Sequence, residues 1–548
     1  MGWVAEAMDG LRAVSGAGKG PVLGCHGAVS AGDPFAATVA TEVLASGGTA
    51  VDAVLAGAMV QCVVEPAWCG LGGDAFALVF EPGEGVVALN GSGAAPVKAG
   101  SATAGLERVP RFGPLSVAVP GFVGAWDALF SRFASLARAE LVEPARRYAL
   151  RGFPLDLGTA AAVERAVTDA ASGAAPGLET LLAGNGRCPG ELFRQPELAW
   201  TLGEVAERGA AAFYEGAIAE RVASWIERRG GPLSLEDLGS HETAFVDVVS
   251  VRYRDRLVVS NPPVSLGILL LEELALAGEF DVAELRARTS DLIDLLVWCK
   301  RESFRDLALV ASDPPASARF GGLDPATIAA RAATYETGAG AVAVMEPELS
   351  EGTDTTSLVA VDARGQVAVV IHSLFNEWGA REVVPGTGVL LNDRLAGLRT
   401  DASAPNGLRP GCRPVHTLNA YMVLEADNVV LAGATPGGRG QVQTNFQVLT
   451  QVIDFGSDIQ SALEHPRWLS GTPRTPVPDD RLLVESEMGA AVIDELRELG
   501  HDVVVVDGSS DRASNDLFGG CTVVAADPAK GVYQAAADPR RRVTALAW

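Results

Sequence analysis

Apolar residues recur along the chain at different spacings, which predict where helices and strands lie. Residues 33–64 carry apolar positions at helical spacing, interrupted by Gly47 and Gly48. Thr49 follows these glycines and can cap a second, strongly apolar helix. Apolar runs on both sides of a Pro-Gly turn in residues 75–91 predict two strands.

The later segments alternate between helical blocks and strand patterns, with one loose stretch among them. Residues 338–354 are rich in Gly, Ala and acidic residues, which predicts a flexible connector ending directly on a strand. Clustered strands with helical blocks on either side predict a layered α+β fold. In chain order, the helical blocks lie at 120–235, 283–310 and 441–456, and the strand patterns at 246–263, 355–374, 416–438 and 520–538.

Composition and charge exclude several classes of function. The 548 residues are 48% apolar and 20% charged, which is enough for a large core, and the net charge of -25 would repel nucleic acids and acidic membranes. The seven cysteines are scattered without a CxxC spacing, which predicts reduced thiols, no zinc site and a cytoplasmic location. The first 20 residues lack the pattern of a signal peptide, and residues 49–66 are too short to cross a bilayer.

The segment Asp354-Thr355-Thr356 joins the connector to the strand and admits two interpretations. Either threonine could simply begin a strand, as β-branched residues often do. The connector, however, would leave the bond between Asp354 and Thr355 accessible. If that bond were cut, Thr355 would gain an α-amine with an ordinary pKa of about 7.7–8.0, able to take the proton of the neighbouring hydroxyl. This is the N-terminal-threonine form of an activated nucleophile.

A glycine pair, Gly437 and Gly438, follows an apolar strand and precedes a helix. Such a pair is often only a turn, but its N–H groups can also face a developing oxyanion. The P-loop, dinucleotide-loop, HExxH and GxSxG spacings are all missing. We therefore expect no metal and no cofactor, since an N-terminal threonine needs only the chain terminus and backbone donors.

Several motifs together resemble the gamma-glutamyltranspeptidase family of self-cleaving N-terminal-nucleophile hydrolases. They follow the family order from about residue 21 to the C-terminus and include "GLGGDAFALVF", "DTTSLVAVD", "VVPGTGVLLNDRL", "RPVHTLN" and "TPGGRGQVQTNF". The resemblance implies a four-layer αββα sandwich forming one structural domain. It also implies self-cleavage into a large chain, residues 1–354, and a small chain, residues 355–548. The two chains would form a heterodimer, which could pair again into a larger oligomer.

The resemblance assigns catalytic roles to individual residues. The cleavage site lies between Asp354 and Thr355, and Thr355 becomes the nucleophile. Ser373 corresponds to the second hydroxyl that hydrogen-bonds the nucleophile from the next strand. Gly437 and Gly438 correspond to the oxyanion hole.

At substrate-binding positions the chain departs from the family pattern. Ser92 replaces the arginine that binds the glutamyl α-carboxylate, and Gly397 lies near the position of the acid that binds the α-amine. His416 and Thr417 replace a pair of serines. These replacements disfavour gamma-glutamyl transfer and indicate a different substrate.

Further departures follow the second strand of the site. Phe375 stands where the family has an asparagine, unless Asn376 takes that place. Glu377 and Trp378 replace a small residue and a phenylalanine of the oxamate-like members. The candidate holders of a substrate anion, each of which could equally be a solvated surface arginine, are Arg381, Arg394 and Arg439.

The motifs "LNGSG", "VVPGTGVLLN", "HTLN" and "TPGG" resemble the branch of the family that contains oxamate amidohydrolase. Related enzymes of natural-product pathways hydrolyse a carbon–carbon bond to release an oxalyl-type group. The expected function is hydrolysis of a small carboxylated amide or oxalyl-type carbonyl through an acyl-Thr355 intermediate. The alternatives are gamma-glutamyl transfer or hydrolysis, and a catalytically silent family member with a binding role.

Overall fold

The structure, a computed structural model, describes residues 20–310, 313, 322–342, 354–471, 480–507 and 516–548. The signal-peptide expectation and most of the predicted connector fall outside these residues. The strands are β1 Val22–Gly24, β2 Gly27–Ala31, β3 Asp74–Glu81, β4 Gly85–Gly91, β5 Phe153–Pro154, β6 Leu192–Phe193, β7 Ala244–Val246, β8 Val249–Tyr253, β9 Arg256–Ser260, β10 Asp354–Asp362, β11 Val367–Phe375, β12 Val383–Val384, β13 Val389–Leu390, β14 Ala420–Glu425, β15 Asn428–Ala434, β16 Trp468–Ser470, β17 Leu482–Glu485, β18 Val503–Val506, β19 Thr522–Asp527, β20 Val532–Ala537 and β21 Thr544–Ala547.

The helices lie mainly in the segments that the sequence predicts. They are α1 Pro34–Ala45, α2 Ala50–Val64, α3 Ala99–Ala102, α4 Phe122–Phe133, α5 Arg138–Arg151, α6 Leu157–Ala171, α7 Glu179–Leu182, α8 Pro196–Arg208, α9 Ala210–Tyr214, α10 Ala217–Arg228, α11 Leu235–Gly239, α12 Gly267–Gly278, α13 Thr289–Phe304, α14 Leu307–Val310, α15 Pro325–Ala332, α16 Gly440–Ile453, α17 Ile459–Glu464 and α18 Ala490–Glu498. Within the described part of the chain, none of these helices has the length and apolarity needed to cross a membrane.

Two seven-stranded antiparallel sheets form the centre of the fold. The first has the order β21-β2-β10-β11-β3-β4-β7, and the second has the order β1-β20-β19-β15-β14-β9-β8. One apolar core lies between the two sheets, and a further core covers the outer face of each sheet with helices. These layers are the αββα sandwich, so the predicted α+β class is confirmed.

Strand β10 shows how the sequence produces these layers. Successive side chains of a strand point to opposite faces. Leu358 and Ala360 accordingly pack against the helices around α2, whereas Val359 and Val361 pack between the sheets. Because β10 is buried on both faces, its sequence is a continuous apolar run and not an alternation of apolar and polar residues.

Helix α2 lies directly behind β10 and begins with the capping threonine that the sequence predicts. The Thr49 hydroxyl accepts a hydrogen bond from the Asp52 backbone N–H at 3.0 Å, and the Asp52 carboxylate accepts one from the Thr49 N–H at 2.9 Å. This reciprocal pair is a capping box. Every residue of α2 is buried, which explains why the helix carries no polar stripe.

Several short strands were not predicted from the sequence. The C-terminal strand β21 pairs with β2, and β1 pairs with β20, so both ends of the described chain join the sandwich. Strands β16, β17 and β18 form a separate three-stranded sheet. These strands are short, and long-range pairing determines them more than local sequence does.

The contribution of the Thr49 cap to the stability of α2 can be tested by mutation. We expect Thr49→Ala to lower the free energy of unfolding by about 1 kcal/mol, because the Asp52 N–H loses its acceptor. Thr49→Ser keeps the hydroxyl and should lose much less. Urea unfolding of the three proteins measures the difference. An equal loss in the serine variant would show that the threonine methyl group, and not the cap, provides the stability.

Candidate active site

The start of β10 carries the predicted nucleophile in an irregular part of the sheet. Its register against β11 shifts between Asp354 and Thr356, so that two residues of β11, Ser373 and Leu374, lie opposite Thr355. This is a β-bulge, a device that redirects side chains and often occurs beside active sites. Thr355 is 5% exposed. The fold therefore brings Thr355 and Ser373 together across neighbouring strands.

The two adjacent threonines have different surroundings. The Thr356 hydroxyl donates to Glu65 Oε2 at 2.8 Å and accepts from Gln61 Nε2 at 2.7 Å. Burial, followed by the nearby Asp33 carboxylate, raises the pKa of Glu65 to about 8. Thr356 thus faces the helical layer and has two hydrogen-bond partners there. By strand alternation, Thr355 faces the second sheet.

The glycine pair lies beyond the end of β15, a strand of the second sheet, on the side that faces this end of β10. Ser357 Oγ is 2.8 Å from Thr522 Oγ1, across the gap between the sheets, and Thr522 pairs with Ala434 at the end of β15. Gly437 and Gly438 follow in the turn before α16, with φ of 129° and 57°. These positive φ values favour glycine. The turn leads into the N-terminal end of a helix, where backbone N–H groups point outward.

Ser373 is held in position by its own strand. Its hydroxyl accepts a hydrogen bond from the backbone N–H of Phe375 at 2.8 Å, and its backbone pairs with Asp74 of β3. Phe375 has a φ of 92°, unusual for a residue with a side chain, so β11 turns sharply where it passes Thr355. Ser373 is 2% exposed and part of the same buried region as Thr355.

A buried arginine lies next to this turn. The guanidinium carbon of Arg394 is 4.4 Å from the centre of the Phe375 ring, and Phe375 pairs with Asp354 in the sheet. Arg394 Nε is 3.3 Å from Asp74 Oδ2, but none of its three guanidinium nitrogens has a partner with hydrogen-bond geometry among the described residues. Buried donors of this kind are usually satisfied. A carboxylate could satisfy two of them at once.

Two titratable groups beside Arg394, Asp74 and His416, have shifted pKa values. Burial raises the pKa of Asp74 to about 6, although Arg394 acts in the opposite direction. His416 Nε2 lies 3.8 Å from Asp74 Oδ2, and burial, then Arg394 and Arg413, holds the pKa of His416 well below its usual value. His416 is therefore neutral near pH 7. Its two ring nitrogens also lack hydrogen-bond partners within the described ranges.

The other predicted binding residues are more dispersed. Arg381 pairs with Asp169 at 2.8 Å and stacks on the Phe112 ring, while the Trp378 indole donates to the Ala162 carbonyl inside the helical core. Neither arrangement involves the turn beside Thr355.

Three of these residues lie just outside strands or helices: Ser92 follows β4, Thr417 precedes β14 and Arg439 precedes α16. The Ser92 hydroxyl donates to the side-chain oxygen of Asn90 at 2.6 Å. Thr417 is half-buried, and its carbonyl accepts from Asn419. Arg439 is buried and directly precedes α16, next to Gly438. Of the three candidate arginines, Arg394 has the clearest unmet capacity to bind an anion.

The sequence search missed several residues that the fold brings into this region. Gln61, Glu65 and Asp74 are fully or almost fully buried polar residues in apolar segments, a signal that sequence alone could have given. Cys62 and Cys69 lie within 4.8 Å of each other and of a ring nitrogen of His372. The spacing of the two cysteines along the chain matches no metal-ligand motif, and the third group, His372, comes from the distant strand β11.

Comparisons with known proteins agree with this geometry. The family model described as gamma-glutamyltranspeptidase matches residues 36–548. The chain is 32% identical over 526 residues to the glutathione hydrolase-like YwrD proenzyme of Bacillus subtilis, covering 95% of this chain and 98% of the relative. It is 31% identical over 528 residues to the oxamate amidohydrolase proenzyme of Klebsiella pneumoniae, covering 94% and 97%.

The solved structures show the same relationship. The cephalosporin acylase from Bacillus halodurans superposes with a TM-score of 0.88 and 28% identity, over 98% of both chains. The chain belongs to the gamma-glutamyltranspeptidase family. It is a hydrolase with the N-terminal-nucleophile fold, whose relatives include amidohydrolases and acylases.

The raised pKa of Asp74 makes stability depend on pH. Between pH 3.8 and about 6, the folded chain keeps a proton on Asp74 that the unfolded chain has lost, so the free energy of unfolding falls as pH rises. The slope from this group is at most about 1.4 kcal/mol per pH unit. Arg394→Gln removes a charge that lowers the pKa of Asp74 and of neighbouring Asp393. The raised pKa of Glu65, about 8, already extends the fall above pH 6 in the wild type, and we expect the fall above pH 6 to be steeper in Arg394→Gln.

Urea unfolding at a series of pH values tests this expectation. The matched control is Arg381→Gln, which removes an arginine that is paired with Asp169, away from Asp74. The control should keep the wild-type pH profile. If Arg394→Gln also keeps that profile above pH 6, the charge of Arg394 does not govern these carboxyl groups.

Proposed function

We propose that the chain is a proenzyme that cleaves itself before Thr355 and then hydrolyses a small carboxylated amide or an oxalyl-type carbonyl compound. The cut gives a large chain, residues 1–354, and a small chain, residues 355–548, which stay together as a heterodimer. The observation that carries the proposal is the buried guanidinium of Arg394 beside the turn of β11 that faces Thr355. The proenzyme names of two relatives support the self-cleavage.

Self-cleavage proceeds in two steps. The Thr355 hydroxyl attacks the carbonyl carbon of Asp354, the C–N bond between them breaks, and an ester forms while the Thr355 nitrogen becomes a free amine. Water then hydrolyses the ester and leaves Thr355 as the new terminus. The bulge supports this chemistry, because it holds Thr355 apart from the regular ladder of β10 and β11.

Substrate hydrolysis uses the same atoms. The new α-amine of Thr355 takes the proton of its own hydroxyl, and the oxygen attacks the substrate carbonyl. N–H groups of Gly437 and Gly438 stabilise the oxyanion, and Ser373 donates to the nucleophilic oxygen. The protonated α-amine then gives its proton to the amine or carbon leaving group as the bond to the carbonyl carbon breaks, and water hydrolyses the resulting acyl-Thr355 to release the acid.

The charges near Thr355 favour a small acid over an amino acid as the acyl part. Arg394 offers a cation for one carboxylate. Both oxygens of the neighbouring Asp393 already accept hydrogen bonds from Asn376, at 3.0 Å and 2.6 Å. Asp74 Oδ1 accepts from the Gly93 N–H, and its other oxygen faces Arg394. At Asp393 a substrate α-amine would therefore have to compete with Asn376, and at Asp74 Oδ2 it would lie beside the guanidinium of Arg394.

Gamma-glutamyl hydrolysis is the second candidate, because one relative is a glutathione hydrolase-like proenzyme. It requires a cation for the α-carboxylate and an acid for the α-amine. Arg394 could serve as the cation even though Ser92 replaces the arginine of the family pattern. The hydrogen bonds that Asn376 donates to Asp393, and the position of Arg394 beside Asp74 Oδ2, are the features that make this candidate second.

Mass spectrometry tests the proposed cut before Thr355. The intact mass of freshly purified wild-type protein should show two chains divided before Thr355. Thr355→Ala should remain a single chain, because it has no hydroxyl to attack the Asp354 carbonyl. Thr355→Ser keeps the hydroxyl and should still be cut. If the wild-type chain remains whole after prolonged incubation, the protein is a catalytically silent family member.

Kinetic assays test the proposed substrate. The mature enzyme should release ammonia from oxamate and little glutamate from a glutamyl anilide. In Arg394→Gln we expect KM for oxamate to rise about 10- to 100-fold, because the oxamate carboxylate loses a charge-assisted hydrogen bond worth roughly 1.5–3 kcal/mol. KM for the neutral amide oxamide should change much less.

Arg381→Gln is the matched control for the substrate measurement and should leave KM for oxamate nearly unchanged, because Arg381 is already paired. Preferential release of glutamate would favour the second candidate. An equal rise of KM for oxamate and oxamide in Arg394→Gln would mean that the arginine maintains the shape of the site and does not bind the carboxylate.

A further inference from the structure

Three groups that can bind a metal meet behind the first residues of β10. Cys62 lies in the last turn of α2, Cys69 in the loop before β3, and His372 on β11. Their two sulfur atoms and one ring nitrogen all lie within 4.8 Å of one another, and Cys62 Sγ is 4.0 Å from His372 Nδ1. All three side chains are at most 2% exposed. None of them has a role in the proposed reaction.

The hydrogen bonds around His372 determine which ring nitrogen is available. Gln61 Nε2 donates to Thr356 Oγ1 at 2.7 Å and to the Ser357 carbonyl at 3.1 Å, so Gln61 Oε1 must be an acceptor. That oxygen lies 3.0 Å from His372 Nε2, which therefore carries the proton. Burial lowers the pKa of His372 to about 3, so the ring is neutral. The lone pair on Nδ1 consequently faces Cys62.

This pattern is the one that metal-binding histidines usually show. Such a histidine coordinates through one nitrogen and donates its other N–H to a carbonyl or carboxylate, which fixes the ring orientation. Gln61 provides that carbonyl for His372. The ring is also held from another side by Phe122, whose ring centre lies 5.0 Å away. His372 is thus already oriented toward the two cysteines.

We propose that Cys62, Cys69 and His372 form a buried binding site for a single thiophilic cation, with zinc(II) as the ion whose charge suits the site. Zinc–sulfur bonds are about 2.3 Å and zinc–nitrogen bonds about 2.0 Å, so small side-chain shifts bring all three atoms into range. On binding, both thiol protons leave to solvent. Two thiolates and one divalent ion then sum to zero charge, which is the arrangement least costly to bury.

The position of the site connects it to the nucleophile strand. His372 pairs with Thr356 in the sheet, and Gln61 bridges the two side chains. A bound cation would hold His372, and through Gln61 it would hold the Thr356 hydroxyl. The site itself follows from these contacts alone and does not depend on the proposed reaction.

The test is to express the protein in zinc-supplemented medium, so that it folds in the presence of the ion, and to measure zinc by mass spectrometry after purification without a metal-chelating resin. We expect about one zinc ion per chain in the wild type, bound by the three side chains with a fourth position left for a small ligand such as water. Cys62→Ala and Cys69→Ala should each lose it. Cys299→Ala, which removes a buried cysteine outside the cluster, should keep it.

Cobalt(II) supplied in place of zinc provides a second measurement on the unaltered chain, which stays informative even if a cysteine variant fails to fold. We expect thiolate-to-cobalt charge-transfer absorption in the wild type and in Cys299→Ala. A wild-type protein without bound zinc, or without this absorption, would overturn the proposal. Zinc retained in both Cys62→Ala and Cys69→Ala would overturn it as well, because the ion would then lie elsewhere.

Discussion

The hydrogen bonds of the Thr356 hydroxyl are the contact on which the rest of the site depends. This group joins β10 to Glu65 and Gln61 at the end of α2, in a region without water-exposed alternatives. Losing it would leave buried polar groups without partners, at a cost of about 1–3 kcal/mol each. Because side chains alternate along a strand, fixing Thr356 toward the helices fixes Thr355 toward the second sheet.

The same region contains a buried arginine, Arg394, whose hydrogen-bond donors are not satisfied among the described residues. Buried arginines normally satisfy most of their donors with carboxylates or carbonyls, as Arg467 does when its two terminal nitrogens contact Asp538, Leu463 and Phe518. Arg394 faces an aromatic ring and one poorly aligned carboxylate instead. Such an arrangement costs stability, and proteins commonly accept this cost where a ligand completes the interaction. The unsatisfied donors of Arg394 therefore indicate a ligand-binding role more strongly than the presence of an arginine at this position does.

Local sequence features predicted the fold class and the main elements well. The capping box of α2, the hairpin of β10 and β11, and the glycine pair before α16 are all encoded within a few neighbouring residues. Long-range features were not accessible in this way. Arg381 and Arg394 were equivalent as sequence, but one is paired with Asp169 and the other is buried beside Phe375. Trp378 was predicted to bind substrate, whereas tertiary packing places its indole in the helical core.

The sheet topology explains how a chain could be cut at the start of a buried central strand and remain one molecule. Strand β10 pairs with β2 on one side, and its partner β11 pairs with β3, both from the segment before the proposed cut. Strands β20 and β21 pair with β1 and β2 in the same manner. The proposed cut therefore lies at the end of a ladder that both pieces would share. Separating the pieces would expose the core between the sheets, so the proposed cleavage would change the chemistry of one residue without separating the two pieces.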